Sequence, residues 1–173
     1  MDAIILSGAP GIGKSTIALK LNERFGWPHL DLGRLREVYL DPQWKTANSK
    51  EAQMSFEILC YMVHRHVDHG FKNILIVDLL PEHIDQLIKQ FGDLSYLVIS
   101  FITKDKSVHL RRINDPTRDS GFRDFEKAAA WNDSIILREP LPRETILDTT
   151  KNEISDTIEQ VIQIIRQAEG GRM

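Results

Sequence analysis

Cysteine is nearly missing. The 173 residues contain one, Cys60, so no internal disulfide can form and the chain reads as intracellular. Cys60 lies in an apolar stretch, which suits it to core packing. Long hydrophobic runs are missing too: none approaches the roughly 18–20 residues that a membrane span needs. The chain passes from Met1-Asp2 straight into an apolar strand, leaving no room for a signal peptide. A soluble, cytoplasmic protein with no membrane partner is the expectation. No charge of one sign dominates either, with 22 basic against 25 acidic residues and a net charge of −3. That excludes bulk electrostatic binding of nucleic acid but leaves room for a local basic patch. Internal repeats, low-complexity tracts and linkers are absent. A single domain over residues 1–173, large enough to bury a proper core, is expected.

What is present is Gly8-Ala9-Pro10-Gly11-Ile12-Gly13-Lys14-Ser15-Thr16, which fits G-x-x-x-x-G-K-[ST] at every fixed position. Ala3-Ile4-Ile5-Leu6 precedes it as a buried strand would, and Ile17, Ala18, Leu21 and Phe25 follow at helical spacing. Strand, glycine-rich turn and helix is the order that a phosphate cradle requires. The glycines let backbone N–H groups approach a polyphosphate, and the helix adds its positive N-terminal end. Lys14 would reach the β- and γ-phosphates, and the Ser15 hydroxyl would take one position on Mg²⁺. The pattern implies a nucleoside triphosphate site.

Further strands are predicted at His29–Leu32, Asn73–Asp78, Leu94–Ile102 and Thr145–Asp148. Helices are predicted over 49–69, from Pro81 to Phe91, over 106–113, over 125–136 and from Ile154 onward, with residues 42–50 as loop. Five strands alternating with helices make a three-layer α/β/α fold around a parallel sheet. Ligands in such sheets bind at the carboxyl ends of the strands, where Gly8, Asp31, Asp78 and Asp148 would gather. Asp78-Leu79-Leu80-Pro81 lacks the glycine of a GTPase switch, and Thr103-Lys104-Asp105-Lys106 lacks its guanine-reading aspartate. A GTPase is therefore excluded.

The ordered set resembles the small P-loop kinases that include shikimate, gluconate, adenylate and chloramphenicol kinases. It runs over nearly the whole chain: the loop at 8–16, Asp31 with Arg34 and Arg36 after the second strand, and a hydrophobic strand ending in Asp78. An arginine-rich stretch follows Ile113, and Leu147-Asp148-Thr149-Thr150 precedes the last helix. The resemblance implies a five-stranded sheet of order 2-3-1-4-5 and an ATP- and Mg²⁺-dependent phosphotransferase. Its acceptor would be a small molecule offering a hydroxyl or a phosphate, and the protein a monomer or homodimer. A nucleotide-binding regulator with no acceptor is the alternative.

Residue by residue, the resemblance makes Asp31 the base that takes the proton of an attacking hydroxyl, with Asp78 the other carboxylate open to that role. Arg34 would hold the acceptor, or Arg36 would bind its anion, within an acceptor region at about 31–60. Ser15 and Asp78 would place the metal. A lid at about 111–125 would bring Arg118 and Arg123 onto the transferring phosphoryl group. Arg111 or Arg112 would flank the adenine together with the loop at Thr149. Each has a plainer reading: helix capping for Asp31 and Asp78, a solvated face for Arg36, weak surface salt bridges for the lid arginines. Asp115, Asp119 and Asp124 alternate with those arginines, and Ser120-Gly121 offers a bend. Trp44, Phe56 and Tyr61 are candidates to line the acceptor pocket, with core packing the other reading for Phe56. His64, His66 and His69 are read as a solvated helix end rather than metal ligands.

Overall fold

Along β1 (Ala3–Gly8) the side chains alternate between two cores, as successive residues of a strand must. Ala3 and Ile5 pack into one, Ile4 and Leu6 into the other, and all four are fully buried. A strand covered on both faces loses the apolar–polar alternation and becomes the continuous apolar run seen in the sequence. This computed structural model describes residues 1–41, 44–118, 120 and 122–170.

Around β1 the order of elements is α1 (Lys14–Phe25), β2 (His29–Asp31), α2 (Leu32–Glu37), α3 (Ser49–Asp68) and β3 (Ile74–Val77). There follow α4 (Pro81–Gln90), β4 (Tyr96–Ile102), α5 (Lys106–Ile113), α6 (Phe125–Leu137), β5 (Glu144–Asp148) and α7 (Ile154–Gly170). The five strands form one parallel sheet of order β2-β3-β1-β4-β5. Phe56, Leu59 and Val63 of α3 and Ile84 and Leu87 of α4 cover one face; Ile17 and Leu21 of α1 and Val161 and Ile165 of α7 cover the other. Among the described residues no helix is long and apolar enough to cross a membrane.

The register brings the strand ends into line. Leu6 of β1 pairs with Val77 of β3, which also pairs with Asp31 of β2. On the other side Gly8 pairs with Phe101 and Ile102 with Asp148. Every strand-to-helix turn therefore opens on the same edge. One boundary differs from the sequence expectation: Leu32 begins a helix instead of ending β2. The cause is the Asp31 side chain, which accepts a hydrogen bond from the Arg34 N–H at 3.2 Å and caps α2. Of the expected loop at 42–50, Pro42 and Gln43 lie outside the described residues.

Leu21 tests this packing. It is fully buried in the α1–α7 core, so Leu21→Ala should cost about 2–5 kcal/mol in urea unfolding. A loss under about 1 kcal/mol would contradict a tightly packed face.

Candidate active site

The loop at 8–13 turns sharply between β1 and α1. Gly8, Gly11 and Gly13 have φ of 136°, 83° and 101°, a region that side chains with a Cβ rarely enter. Gly13 is the left-handed residue at the N-cap of α1, and no side chain caps that end. The N–H groups of the first turn of α1 thus stay available to an anion. Lys14 turns back over the loop, donating from Nζ to the Gly8 carbonyl at 2.8 Å and the Ala9 carbonyl at 3.2 Å. It is 7% exposed, and burial pushes its ammonium below the ordinary value while Asp78 and Asp31 oppose that shift. The ring of Trp131 on α6 lies 6.0 Å from Nζ. Of the remaining predicted loop residues, Ala9 and Ile12 are buried, Pro10 is half-buried and Thr16 is exposed on the first turn of α1.

Asp31 and Asp78 stand at the ends of neighbouring strands. Asp31 Oδ1 caps α2, while Oδ2 lies 3.5 Å from the Ser15 hydroxyl. Capping and proximity to the phosphate loop are thus both observed, one on each oxygen. Asp78 keeps an exposed face, yet burial by the surrounding protein raises its pKa, and Asp31 raises it further against Lys14 and Arg36. Its φ of 62° is left-handed for a non-glycine residue, the kind of local strain that persists only when its surroundings hold it. Gly33 is what permits the approach. A Cβ there would sit 3.2 Å from Asp31 Oδ1 and press inside van der Waals contact with Asp78 Oδ2. The Ser15 hydroxyl and the Asp78 carboxylate, on either side of Asp31, are oxygen donors that suit a hard divalent cation such as Mg²⁺, which prefers carboxylate, hydroxyl and water ligands.

Arg36 is not the free cation that the sequence suggested. Glu51, 15 positions on, holds its guanidinium with two bonds of 2.9 Å. Arg34 is exposed on α2. Trp44 covers the Arg36 guanidinium at 4.9 Å, whereas Phe56 belongs to the core and Tyr61 is 66% exposed. On α3, His64 bonds the Gln90 carbonyl and His66 the Met62 carbonyl.

Arg112 and Thr149 meet: Nη1 donates to Thr149 Oγ1 at 3.0 Å and Nη2 to its carbonyl at 2.7 Å. Arg111 remains exposed. Between α5 and α6 the described residues are irregular rather than helical. Arg118 is half-buried, donates to the carbonyls of Ile113 at 2.5 Å and Phe122 at 3.2 Å, and its charge acts on Lys14. Arg123 is exposed and donates to the Ser120 and Phe122 carbonyls. Asp115 and Asp124 are engaged in local turns, accepting from Thr117 and Lys127. Asp119 and Gly121 lie outside the described residues.

Two contributors escaped the sequence reading. Glu51 has no local signal, because its role appears only when α3 returns beside α2. His109 did have one: it stands four residues before Ile113 on the buried face of α5. Its Nε2 meets the Pro10 carbonyl at 2.9 Å and its ring packs edge-on against Phe125. Nearby, Ile113 packs against the bare Cα of Gly11, where an added Cβ would come within 3.2 Å.

No protein-family model matches the chain. In sequence it is 30% identical over 135 residues to an adenylate kinase of Nocardia farcinica, covering 67% of this chain and 74% of that one. It is 24% identical over 170 residues to a putative adenylate kinase of Pyrococcus abyssi, covering 94% and 83%. In structure it resembles a gluconokinase of Sinorhizobium meliloti with a TM-score of 0.69 at 14% identity, over 97% of this chain and 94% of that one. Loop, sheet order and relatives together define a P-loop kinase, a nucleotide-dependent phosphotransferase. The chain belongs to the family of small P-loop small-molecule kinases, with adenylate kinases among its sequence relatives.

The site is expected to weaken in acid. Burial holds His109 below its ordinary value of 6.5, and the same cause lowers His29 and His83. The unfolded chain then binds protons near pH 6.5 that the folded chain refuses. Their contribution to stability is thus full above that value and lost as pH falls below it. Urea midpoints should fall between about pH 7.5 and about pH 5.5, and His109→Gln should flatten part of that slope. An unchanged slope in the variant would remove His109 from the effect.

Proposed function

We propose that the chain transfers the γ-phosphoryl group of ATP to a small-molecule hydroxyl, with Mg²⁺, and that Asp31 is the base. One observation carries this reading: the Asp31 carboxylate lies at the phosphate end of the loop, with Oδ2 3.5 Å from Ser15 Oγ. Phosphoryl transfer needs positioning, charge neutralisation and a base in reach more than covalent help from the protein. Lys14 exchanges the Gly8 and Ala9 carbonyls for the β- and γ-phosphates, so its charge is held ready in the place where it is used. Ser15 and Asp78 are the residues to hold Mg²⁺, which when bound neutralises charge on the phosphate oxygens.

Asp31 accepts the hydroxyl proton as the acceptor oxygen bonds to the γ-phosphorus and the bond to ADP breaks. Arg118, already close enough to act on Lys14, serves the transferring group, and Arg123 follows as the part of the 111–125 segment beyond Ile113 closes. Both now bond only backbone carbonyls among their described hydrogen bonds, and a phosphate oxygen makes the stronger, charge-assisted partner. Arg112 and Thr149 form the adenine side. Residues 31–60 form the acceptor side, with Arg34 and Arg36 at its border.

Lys14→Ala should fold and lose phosphotransfer; turnover near the wild-type rate would remove the loop from the chemistry. Asp31→Asn separates base from cap, since Asn caps helices about as well as Asp. It should lower turnover by about 10²–10⁴-fold with ATP affinity nearly unchanged; full activity would leave Asp31 a capping residue only. Hydrogen exchange should slow at the Arg118 and Arg123 amides when a non-hydrolysable ATP analogue binds. Slowing confined to residues 8–16 would count against lid closure.

A further inference from the structure

On the acceptor side the half-buried guanidinium of Arg36 is already neutralised. Arg36 Nε meets Glu51 Oε1 and Nη2 meets Oε2, each at 2.9 Å, and the two side chains are 18% and 8% exposed. The carboxylate cannot swing away easily. Ser55 donates to Oε1 at 3.3 Å, and the Asn48 side chain pins the Glu51 N–H at 3.0 Å in the first turn of α3. Trp44 closes the guanidinium from above at 4.9 Å. Two carboxylates and a neutral ring stand near the pair, and Arg34 is the other cation of α2. Asp78 feels the charge of Arg36 and stands beside Asp31 across Gly33. His83, stacked on Phe56 at 4.7 Å, is 7% exposed, and its Nδ1 has no hydrogen-bond partner among the described residues. Burial and the nearby Arg36 keep that ring uncharged at neutral pH. Arg34 is exposed, and its charge acts on His29 at the start of β2.

A phosphate acceptor would bring about −1.5 to −2 charges into this space. Holding it takes a guanidinium whose bidentate edge is open. Here that edge is committed to Glu51, and a dianion placed beside it would face Glu51, Asp31 and Asp78 together. Of the other cations, Lys14 and Arg118 stand with the phosphate loop, and Arg34 is out on the exposed face of α2. An uncharged acceptor meets no such repulsion, and its hydroxyls match what this side offers: the Asp31 carboxylate to take a proton and the partly exposed indole of Trp44.

We propose that the acceptor is an uncharged hydroxyl compound, and that the Arg36–Glu51 pair excludes nucleoside monophosphates. This rests on the phosphotransferase reading above. AMP and adenosine are the direct probes, since they differ only by the charged group. The wild-type protein is first titrated with a non-hydrolysable ATP analogue; absence of binding would overturn the phosphotransferase reading and this inference with it. With the analogue bound, AMP affinity is measured by calorimetry on wild type and on Glu51→Gln, which frees the guanidinium. With Mg²⁺ and ATP, formation of ADP from AMP is measured on wild type, an assay that needs no variant to fold. The expected results are no AMP phosphorylation above background ATP hydrolysis in wild type, and AMP binding at least tenfold tighter in Glu51→Gln. Wild-type conversion of AMP to ADP, or unchanged AMP affinity in a folded Glu51→Gln, would overturn the acceptor class while leaving the kinase standing. Binding of adenosine but not AMP by the wild-type complex would support it independently.

Discussion

Burial of the sheet on both faces is the constraint on which the rest depends. It requires Ile4 and Leu6 to face α1 and α7 while Ala3 and Ile5 face α3 and α4. A one-residue slip of β1 would exchange the two sets and leave neither core packed. Fixing β1 fixes its neighbours, because Val77 and Phe101 are registered against Leu6 and Gly8. The loop at 8–13 and Asp31 are consequently placed by apolar contacts deep in the sheet. The charged groups at the edge contribute little to that placement and are free to be arranged for binding.

That freedom shows in how the edge is charged. Lys14 is buried against two backbone carbonyls with Asp31 and Asp78 in electrostatic reach. Removing the buried Lys14 charge would leave two partly exposed carboxylates side by side without it, so these residues act as a unit rather than as independent contacts. The left-handed Asp78 fits the same picture. Strain of this kind costs on the order of 1–3 kcal/mol and is retained where the surrounding structure over-determines it. Gly33 and the strand end provide that determination.

The succession of strands and helices and the phosphate loop were legible in the sequence because each rests on local signals: an apolar run, a helical stripe, fixed glycines; the order of strands in the sheet was implied by the resemblance to P-loop kinases. The sequence left Arg111 and Arg112 open for the side of Thr149, and the structure bonds Arg112 to Thr149 while Arg111 stays exposed. Arg36 shows the limit. Its sequence neighbours suggest a cation free for an anion, and only the packing of α3 against α2 supplies Glu51. The helix start at Leu32 was missed because apolar Leu30 and Leu32 alternate as a strand would, while the Asp31 cap decides the outcome. Arg118 and Arg123 look equivalent in sequence. Burial separates them, one half-covered beside the loop and the other exposed.

The contacts between α5 and the phosphate loop constrain how the molecule can move. His109 holds the Pro10 carbonyl, and Ile113 fills the space beside the Cα of Gly11. Helix α5 and the loop are therefore one mechanical body, and swinging the helix would tear open the cradle it is meant to close. Any pivot has to fall beyond Ile113. The helix ends there, with Asn114 at the C-cap and Asp115-Pro116 next. Because Pro116 lacks an N–H and disfavours helical dihedrals at Asp115, α5 cannot lengthen through this point to stiffen it. If the stretch between α5 and α6 closes over the phosphates as proposed, it does so as a strap held at both ends, because Phe125 at the start of α6 also packs on His109.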